Sequence, residues 1–197
     1  MLFRSRAQAQ AVEAAAKDAG GQATWNSPAP GWLTDLAGDE ALAPFRTLVS
    51  LNLYNGNNPL KGQGGLNKTV NDDWLARVAG LTTLTNLDVA NCDVRGPGMK
   101  HVATLKNLER LNVTLTPLTD AFLQPLGVLT KLRVVSFASA KCTGEGFAHL
   151  GAWQAVENLN FHYTPVNDAG LKEISRLKNL ERLEIVHTHF TDAGAPH

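Results

Sequence analysis

Apolar residues recur along this sequence in blocks with a period of 24 residues. The heptapeptide LKNLERL occurs at Leu105–Leu111 and again at Leu177–Leu183, and the two copies lie three periods apart. Seven apolar columns hold one register through the blocks, so the pattern predicts a stack of similar structural units rather than an irregular globule. The blocks begin at Leu81, Leu105, Leu129, Trp153 and Leu177.

Each block is predicted to contain a short strand followed by a helical or irregular return. Apolar residues two apart, such as Leu111 and Val113, lie on one side of a strand. Apolar residues three apart, such as Leu171 and Ile174, lie on one face of a helical turn. One block cannot bury its apolar side alone, whereas stacked blocks form a continuous core. The pattern therefore predicts a right-handed α/β solenoid with a parallel concave sheet and short helical or irregular convex segments.

The blocks resemble leucine-rich repeats, whose consensus is L-x-x-L-x-L-x-x-N/C-x-L. Residues 164–171 and 188–194 are similar to the T-x-V-T-D-A-G-L core of bacterial repeats of the planctomycete type. The residues at the turn position of the blocks are Cys92, Thr116, Ala140, Thr164 and Thr188. This column resembles the cysteine-containing repeats of F-box substrate adaptors. Residues 1–44, however, contain no recognisable F-box-like segment. The resemblance covers about residues 45–197 and implies a binding scaffold, with a ubiquitin-ligase-like adaptor as one alternative.

Residues 1–44 are predicted to form an N-terminal helical cap over the first block. Ala9, Val12, Ala16 and Ala19 recur at helical spacing, and two glycines follow them. The segment TWNSPAPGW is predicted to be a loop, and LTDLAGDEALAPF a second short helix, with Trp25 and Trp32 packing inside the cap.

Residues 45–197 are predicted to form six blocks, of which the first and last are irregular. In the first block, residues 70–72 match residues 166–168 only after twelve residues are removed, so an insertion is predicted within 54–69. That insertion is either a tolerated surface loop or an addition to a binding face. The last block lacks its expected leucine after Gly194, which favours a fragment of a longer array over a dimer through that end.

The residues that open the convex segments are predicted to cap them. Pairs such as Thr119-Asp120 and Asn167-Asp168 place a capping side chain before an acidic residue at the positive end of the helix. Residues 96–98 (GPG) and Pro125 predict looser segments in two blocks.

The candidate binding residues lie between the core positions of the strands, where they face outward on the concave sheet. A solenoid leaves this face open, so the sequence predicts that a protein or peptide binds there. The predicted contact residues are Tyr54, Asn86, Asp88, Arg110, Asn112, Asn158, Asn160, His162, Arg182 and Glu184. Among them, the strongest candidates are of the residue types that favour binding hot spots or resemble them: Tyr54, Arg110, His162 and Arg182. The alternative from a different class is a structural spacer in a larger multidomain protein.

Composition and motifs argue against other functions. The chain has 18 basic and 18 acidic residues, whereas electrostatic nucleic-acid binding requires a basic surface. No apolar run approaches the length of a membrane span, and no phosphate loop, nucleophile elbow or HExxH motif is present, so neither a membrane partner nor an enzyme is predicted. His162, His187 and His189 lack carboxylate or thiol partners at ligand spacing, so no metal or cofactor is predicted.

The two cysteines, Cys92 and Cys142, are predicted to be reduced because the repeat geometry separates them by more than the Cα distance that a disulfide spans. Reduced thiols and the absence of a recognisable signal peptide would suit a cytoplasmic protein. The chain is expected to be a monomer or a fragment of a longer chain.

Overall fold

The computed structural model describes residues 2–26, 46–54, 56 and 65–194. Its α-helices are α1 (Leu2–Asp18), α2 (Met99–Val102) and α3 (Asp168–Ile174). Its strands are β1 (Gln22–Asn26), β2 (Thr47–Asn52), β3 (Asn67–Asn71), β4 (Asn86–Asp88), β5 (Cys92–Asp93), β6 (Arg110–Asn112), β7 (Val134–Ser136), β8 (Asn158–Asn160) and β9 (Arg182–Glu184). Short 3₁₀ helices cover Trp74–Val78, Asp120–Phe122, Gln124–Val128 and Glu145–Leu150.

One sheet runs through the repeats in the order β1-β2-β4-β6-β7-β8-β9. All neighbours from β2 onward are parallel, and Arg110 lies opposite Asn86 on one side and Val134 on the other. Successive partners from β4 to β9 are therefore one period apart, which confirms the predicted α/β solenoid with a parallel sheet.

The central residue of each three-residue strand faces the core. Leu87, Leu111, Val135 and Leu159 are at most 2% exposed, and the residues on either side of them lie on the open face of the sheet. The convex side combines α2, α3 and the 3₁₀ helices, as the sequence predicted. Pro125 lies in the first turn of the Gln124–Val128 helix, where its missing N–H removes no hydrogen bond.

The repeated heptapeptide performs the same structural task in both copies. Its asparagine donates from Nδ2 to a backbone carbonyl of the preceding block: Asn107 to Thr82 over 2.7 Å, and Asn179 to Gln154 over 2.5 Å. The leucines around Asn107 are buried, because another block covers them. Those around Asn179 belong to the last strand-bearing block of the sheet, so Leu180 and Leu183 are only partly buried.

Aromatic residues replace aliphatic ones in the fourth and fifth blocks. Trp153 occupies the first leucine column, is fully buried, and donates its indole N–H to the carbonyl of Leu126 over 2.9 Å. Phe137 stacks on Trp153 and on Phe161, with ring centroids 6.2 and 5.4 Å apart. These rings fill the core between two blocks and satisfy the one polar atom that they bring with them.

The N-terminal segment covers the first edge of the sheet. Helix α1 buries Ala9, Val12, Ala16 and Ala19, as their spacing predicted. The predicted loop beginning at Thr24 is wrong for Thr24–Asn26, because these residues belong to β1, which pairs antiparallel with β2. An open strand edge needs hydrogen-bond partners, and Trp25 packs against the core from β1. The predicted second helix and Trp32 lie outside the described residues.

The first block contains the extra chain length. The N–H of Leu53 donates to Asp88 and the N–H of Asn67 donates to Asn91, as in the regular blocks. In each pair the acceptor precedes the residue that corresponds to the donor, so Leu53 corresponds to Val89 and Asn67 to Cys92, its partner in the β3–β5 pair. Eleven of the twelve additional residues therefore lie within 54–66, and the twelfth lies between Asn67 and Val70. Residues 55 and 57–64 lie outside the described residues.

None of the described helices combines the length and the apolar character that crossing a membrane requires.

Candidate functional site

The open face of the sheet carries two rows of side chains, one on each side of the buried central column. We call the first strand residues the leading row and the third strand residues the trailing row. The leading row contains Asn86, Arg110, Val134, Asn158 and Arg182. The trailing row contains Asp88, Asn112, Ser136, Asn160 and Glu184. All ten lie in the three-residue strands at positions that the repeat spacing predicted to face outward, and none is buried.

Trailing-row side chains bond to their own backbone. The backbone N–H two residues further on donates to Asp88 Oδ1 (2.9 Å), Asn112 Oδ1 (3.0 Å) and Asn160 Oδ1 (2.8 Å). These bonds fix the chain where it leaves the strand, as short polar side chains do in turns. The asparagine-rich character of this face is therefore partly structural.

The remaining atoms of the trailing row bond across neighbouring blocks. Asn112 Nδ2 donates to Asp88 Oδ2 over 3.1 Å, and Asn160 Nδ2 donates to Glu184 Oε2 over 2.6 Å. Ser136 shares a hydrogen bond with Thr114 over 2.8 Å. Most predicted contact residues in this row are thus already engaged within the chain.

The leading row differs, because most of its polar groups are unengaged. The side chains of Asn86, Arg110 and Asn158 form no hydrogen bond or ion pair with any residue in the described part of the chain. Arg182 is the exception, since its guanidinium lies 2.6 Å from Glu184. Donors and acceptors that lack an intramolecular partner are available to a ligand.

Two adjoining depressions follow these rows across the sheet. One, of about 330 Å³, extends from Ser50 in β2 to Val134 in β7. The other, of about 410 Å³, extends from Arg110 to Arg182 and Glu184. Both are lined by Arg110, Val134 and Ser136, so they form one trough with Arg110 near its middle.

The C-terminal end of the trough carries a charged cluster and exposed aromatic rings. Glu184 accepts from Asn160, faces Arg182, and lies 3.3 Å from His162 Nε2. Beside this cluster, the rings of Tyr163 and His187 stack with centroids 4.5 Å apart. Tyr163 is 61% exposed and the adjacent Val186 is 53% exposed, and they are two of the three exposed large hydrophobic residues in the described part of the chain.

The sequence prediction did not identify Tyr163 as an exposed residue at this end of the sheet. Strand alternation ends one residue before it, and Tyr163 adopts the left-handed backbone conformation with φ of 55°. The same column contains four other left-handed residues: Asn91, Leu115, Ser139 and His187. Asn91 in this column was the available sequence signal, because asparagine tolerates the conformation better than most residues.

Tyr54 is not among the described residues that line the two depressions. Its backbone N–H donates to Asn52 Oδ1 over 3.0 Å, which repeats the trailing-row pattern in the first block. Its predicted role as a contact, together with that of the insertion beyond it, stays a prediction.

The capping prediction is right for two blocks and wrong for a third. Asn71 and Asn167 accept backbone N–H groups from residues three positions on, over 3.0 and 3.2 Å, whereas the Thr119 side chain forms no capping bond. Asp120 instead accepts from the backbone N–H groups of Thr143, Gly144 and Gly146 in the next block. This acidic residue therefore links blocks, in addition to its position at a helix N-terminus.

The two cysteines are free and buried. Burial raises the pKa of Cys92 to about 12, with a smaller contribution from the negative charge of Asp88. Burial also raises the pKa of Cys142, and Asp120 adds to that effect. Neutral, inaccessible thiols act as small apolar core groups rather than as nucleophiles. Among the described residues, no group of three or more metal-ligating side chains converges.

Comparison with known proteins identifies the repeat and the fold. A family model described as "Leucine Rich repeat" matches residues 80–103. The solved structure of an internalin C2 from Listeria monocytogenes superposes with a TM-score of 0.51 at 19% identity, covering 94% of this chain and 76% of that one. A second Listeria internalin, inlF, matches at 15% identity over 59% of this chain and 52% of its own, with a TM-score of 0.27. No curated protein sequence matches the chain.

Proposed function

We propose that this leucine-rich-repeat chain is a non-enzymatic scaffold that binds a protein or peptide on its concave sheet face. The observation that supports the proposal is the asymmetry between the two rows. Trailing-row side chains bond to one another and to the backbone, whereas Asn86, Arg110 and Asn158 keep unengaged polar groups along an open trough. Neutral and charged donors in one line suit main-chain and side-chain groups of another polypeptide.

The shape of the trough favours a polypeptide over a small molecule. From β2 to β9 the sheet crosses five strand spacings of about 4.8 Å each, or roughly 24 Å. Small-molecule sites are usually enclosed, whereas this surface is open along the whole row of strands from β2 to β9. Extended concave surfaces of this kind are the surfaces that repeat proteins use for binding.

Two alternatives make different predictions. A spacer in a multidomain protein would leave the leading row in contact with water only, and substitutions there would change no interaction. A ubiquitin-ligase-like adaptor, suggested by the resemblance of the turn column, would bind a ligase component in addition to its concave-face partner. The narrower resemblance to planctomycete-type bacterial repeats rests on residues 164–171 and 188–194, and concerns origin rather than mechanism.

The experiment is an affinity capture with crosslinking that compares the wild-type chain with two triple variants. The test variant carries Asn86→Ala, Arg110→Ala and Asn158→Ala in the leading row. The matched control carries Arg77→Ala, Lys100→Ala and Lys172→Ala, three exposed residues away from the concave strands. We expect a crosslinked partner that the control retains and the test variant loses, with all three proteins melting within a few degrees of one another. A partner retained equally by both variants, or no partner for any of them, would exclude concave-face binding.

A further inference from the structure

Within the described residues, the leading row contains one charged group without an intramolecular partner. The Arg110 guanidinium is exposed and forms no ion pair with a described residue, whereas Arg182, three blocks further on in the same row, is paired with Glu184. The nearest acidic residue of the preceding strand, Asp88, is already bonded to Asn112 and to the N–H of Ala90. Arg110 is therefore the available cation of the trough.

We infer that Arg110 is the anchor for an acidic side chain of a bound extended peptide. The inference rests on the proposed function and specifies the ligand chemistry of the same face. Guanidinium groups bind carboxylates through two parallel N–H···O bonds, which is the strongest and most directional pairing available here. Asn86 and Val134 lie directly opposite Arg110 on the neighbouring strands, so an amide and an aliphatic surface flank the carboxylate.

The position of Arg110 favours a side-chain carboxylate over a chain terminus. The trough continues from Arg110 toward Ser50 in one direction and toward Arg182 in the other. A peptide lying in it can therefore pass over Arg110 on both sides, and it does not need to end there.

The charges on the face favour a carboxylate over a phosphate. The two rows carry two arginines, Arg110 and Arg182, and two acidic residues, Asp88 and Glu184, so their formal charges cancel. Sites for a dianion usually combine several cationic or N–H donors. One unpaired guanidinium, with the negative charge of Asp88 in the preceding strand, suits a singly charged carboxylate better than a doubly charged phosphate.

The test is an NMR titration of the isotopically labelled full chain with three pentapeptides that differ in one group. The first has a central aspartate and an amidated C-terminus, the second has asparagine in that position, and the third has asparagine and a free terminal carboxylate. We expect the aspartate peptide to shift the backbone signals of Asn86, Arg110 and Val134, and to bind at least about threefold more tightly than the asparagine amide. Arg110→Gln should abolish this preference, and the matched control Arg77→Gln, at an exposed arginine away from the concave strands, should retain it.

Each other outcome overturns the inference in a distinguishable way. If all three peptides bound with equal affinity and shifted the same concave-strand signals, Arg110 would not be the anchor for an acidic side chain. Binding on the concave face would still be supported. Tighter binding of the free-terminus peptide would assign the site to a chain terminus instead. The absence of shifts in the concave strands with every peptide would contradict the inference and also count against the peptide form of the proposed function.

Discussion

Whether a side chain on the concave face is available to a partner depends on its place in a three-residue strand. A residue that follows the buried central position, such as Asn112, can accept the N–H group two residues on. A residue that precedes it, such as Asn86, makes no such bond, and its side chain stays unengaged among the described residues. Short side chains with both donor and acceptor therefore serve structure in the trailing row, whereas those of the leading row are left for the proposed binding.

Sequence alternation could place these residues on the open face but could not separate the two rows. Both rows alternate with the same leucine column, and both contain asparagine. The distinction depends on contacts between blocks, such as the bond from Asn112 to Asp88, 24 positions earlier. Tyr163 was missed for a related reason, since its exposure depends on a left-handed turn that the strand pattern does not describe.

The buried thiol of Cys92 should make the folded chain less stable at alkaline pH. Its pKa is about 12 in the folded chain and about 8.5 in an unfolded one. The unfolded chain therefore releases this proton at a lower pH than the folded chain does. The contribution of the neutral thiol to folding stability is fully present below about pH 8.5 and is lost as the pH rises toward 12. We expect this thiol to lower the free energy of unfolding by about 1.4 kcal/mol per pH unit between about pH 9 and 11.

Urea denaturation at pH 8, 9, 10 and 11 checks this expectation. Cys92→Ala is the comparison protein, since it removes this thiol and leaves every other ionisable group in place. The variant should lose stability less steeply than the wild type over this range. Parallel pH profiles for the two proteins would show that burial of Cys92 does not govern its protonation.

Among the structural elements, the convex segments are joined by aspartates in alternate blocks. Asp72 accepts the N–H groups of Arg95, Gly96 and Gly98, and Asp120 makes the corresponding bonds two periods later. Hydrogen bonds to a carboxylate contribute more than neutral ones, so these residues strengthen the stack on the side away from the sheet.

The sequence contains these aspartates in register, but it suggests a different role for them. An acidic residue at the start of a helical segment is explained by the helix dipole within its own block. The link to the next block requires a close approach of two backbones, which the glycine at position 146 permits. A Cβ on Gly146 would lie 2.6 Å from the carbonyl oxygen of Asp120. Such interblock distances follow from the curvature of the stack and cannot be obtained from spacing alone.

Substitution of this glycine tests the interblock link. Gly146→Ala should destabilise the protein by about 1–3 kcal/mol, because the added methyl group must push the backbone of the neighbouring block away. The matched control is Gly151→Ala at the end of the same convex segment, where no atom lies within 4 Å of the position that the methyl group would take and φ is −58°. The control should change stability by less than about 1 kcal/mol and in the stabilising direction. Equal losses in urea denaturation would disprove the close approach.

For the molecule as a whole, the regular period determines how the blocks are stacked. Equal spacing with no slippage requires each strand to pair with the next in the same register, and the pairs from β4 to β9 follow it. The repeat therefore predicted the sheet, its parallel direction and its buried column. It could not predict β1, whose five residues lie outside the repeat and pair antiparallel because they complete an edge rather than continue a period.

The two ends of the sheet differ as a result. Helix α1 and β1 cover the first edge, where Leu48 and Leu51 are at most 1% exposed. At the other end, Leu180, Leu183 and Phe190 are only partly buried within the described residues. The stack is thus asymmetric, and its concave trough has a covered end and an open end.

If the strands form one linear parallel stack with an open face, the distance between its two ends is set by the number of strands. Spin labels attached to cysteines at Ser50 and Arg182 should be separated by about 24 Å, since five strand spacings of about 4.8 Å lie between them. Labels at Ser50 and Asn158 should be about one spacing closer, and double electron–electron resonance measures both distances. The unsubstituted chain is the control, because its two cysteines are buried and should not be labelled. Distances that increase by one spacing per block support the stack, whereas similar distances for both pairs, or end labels only about two spacings apart, would contradict it.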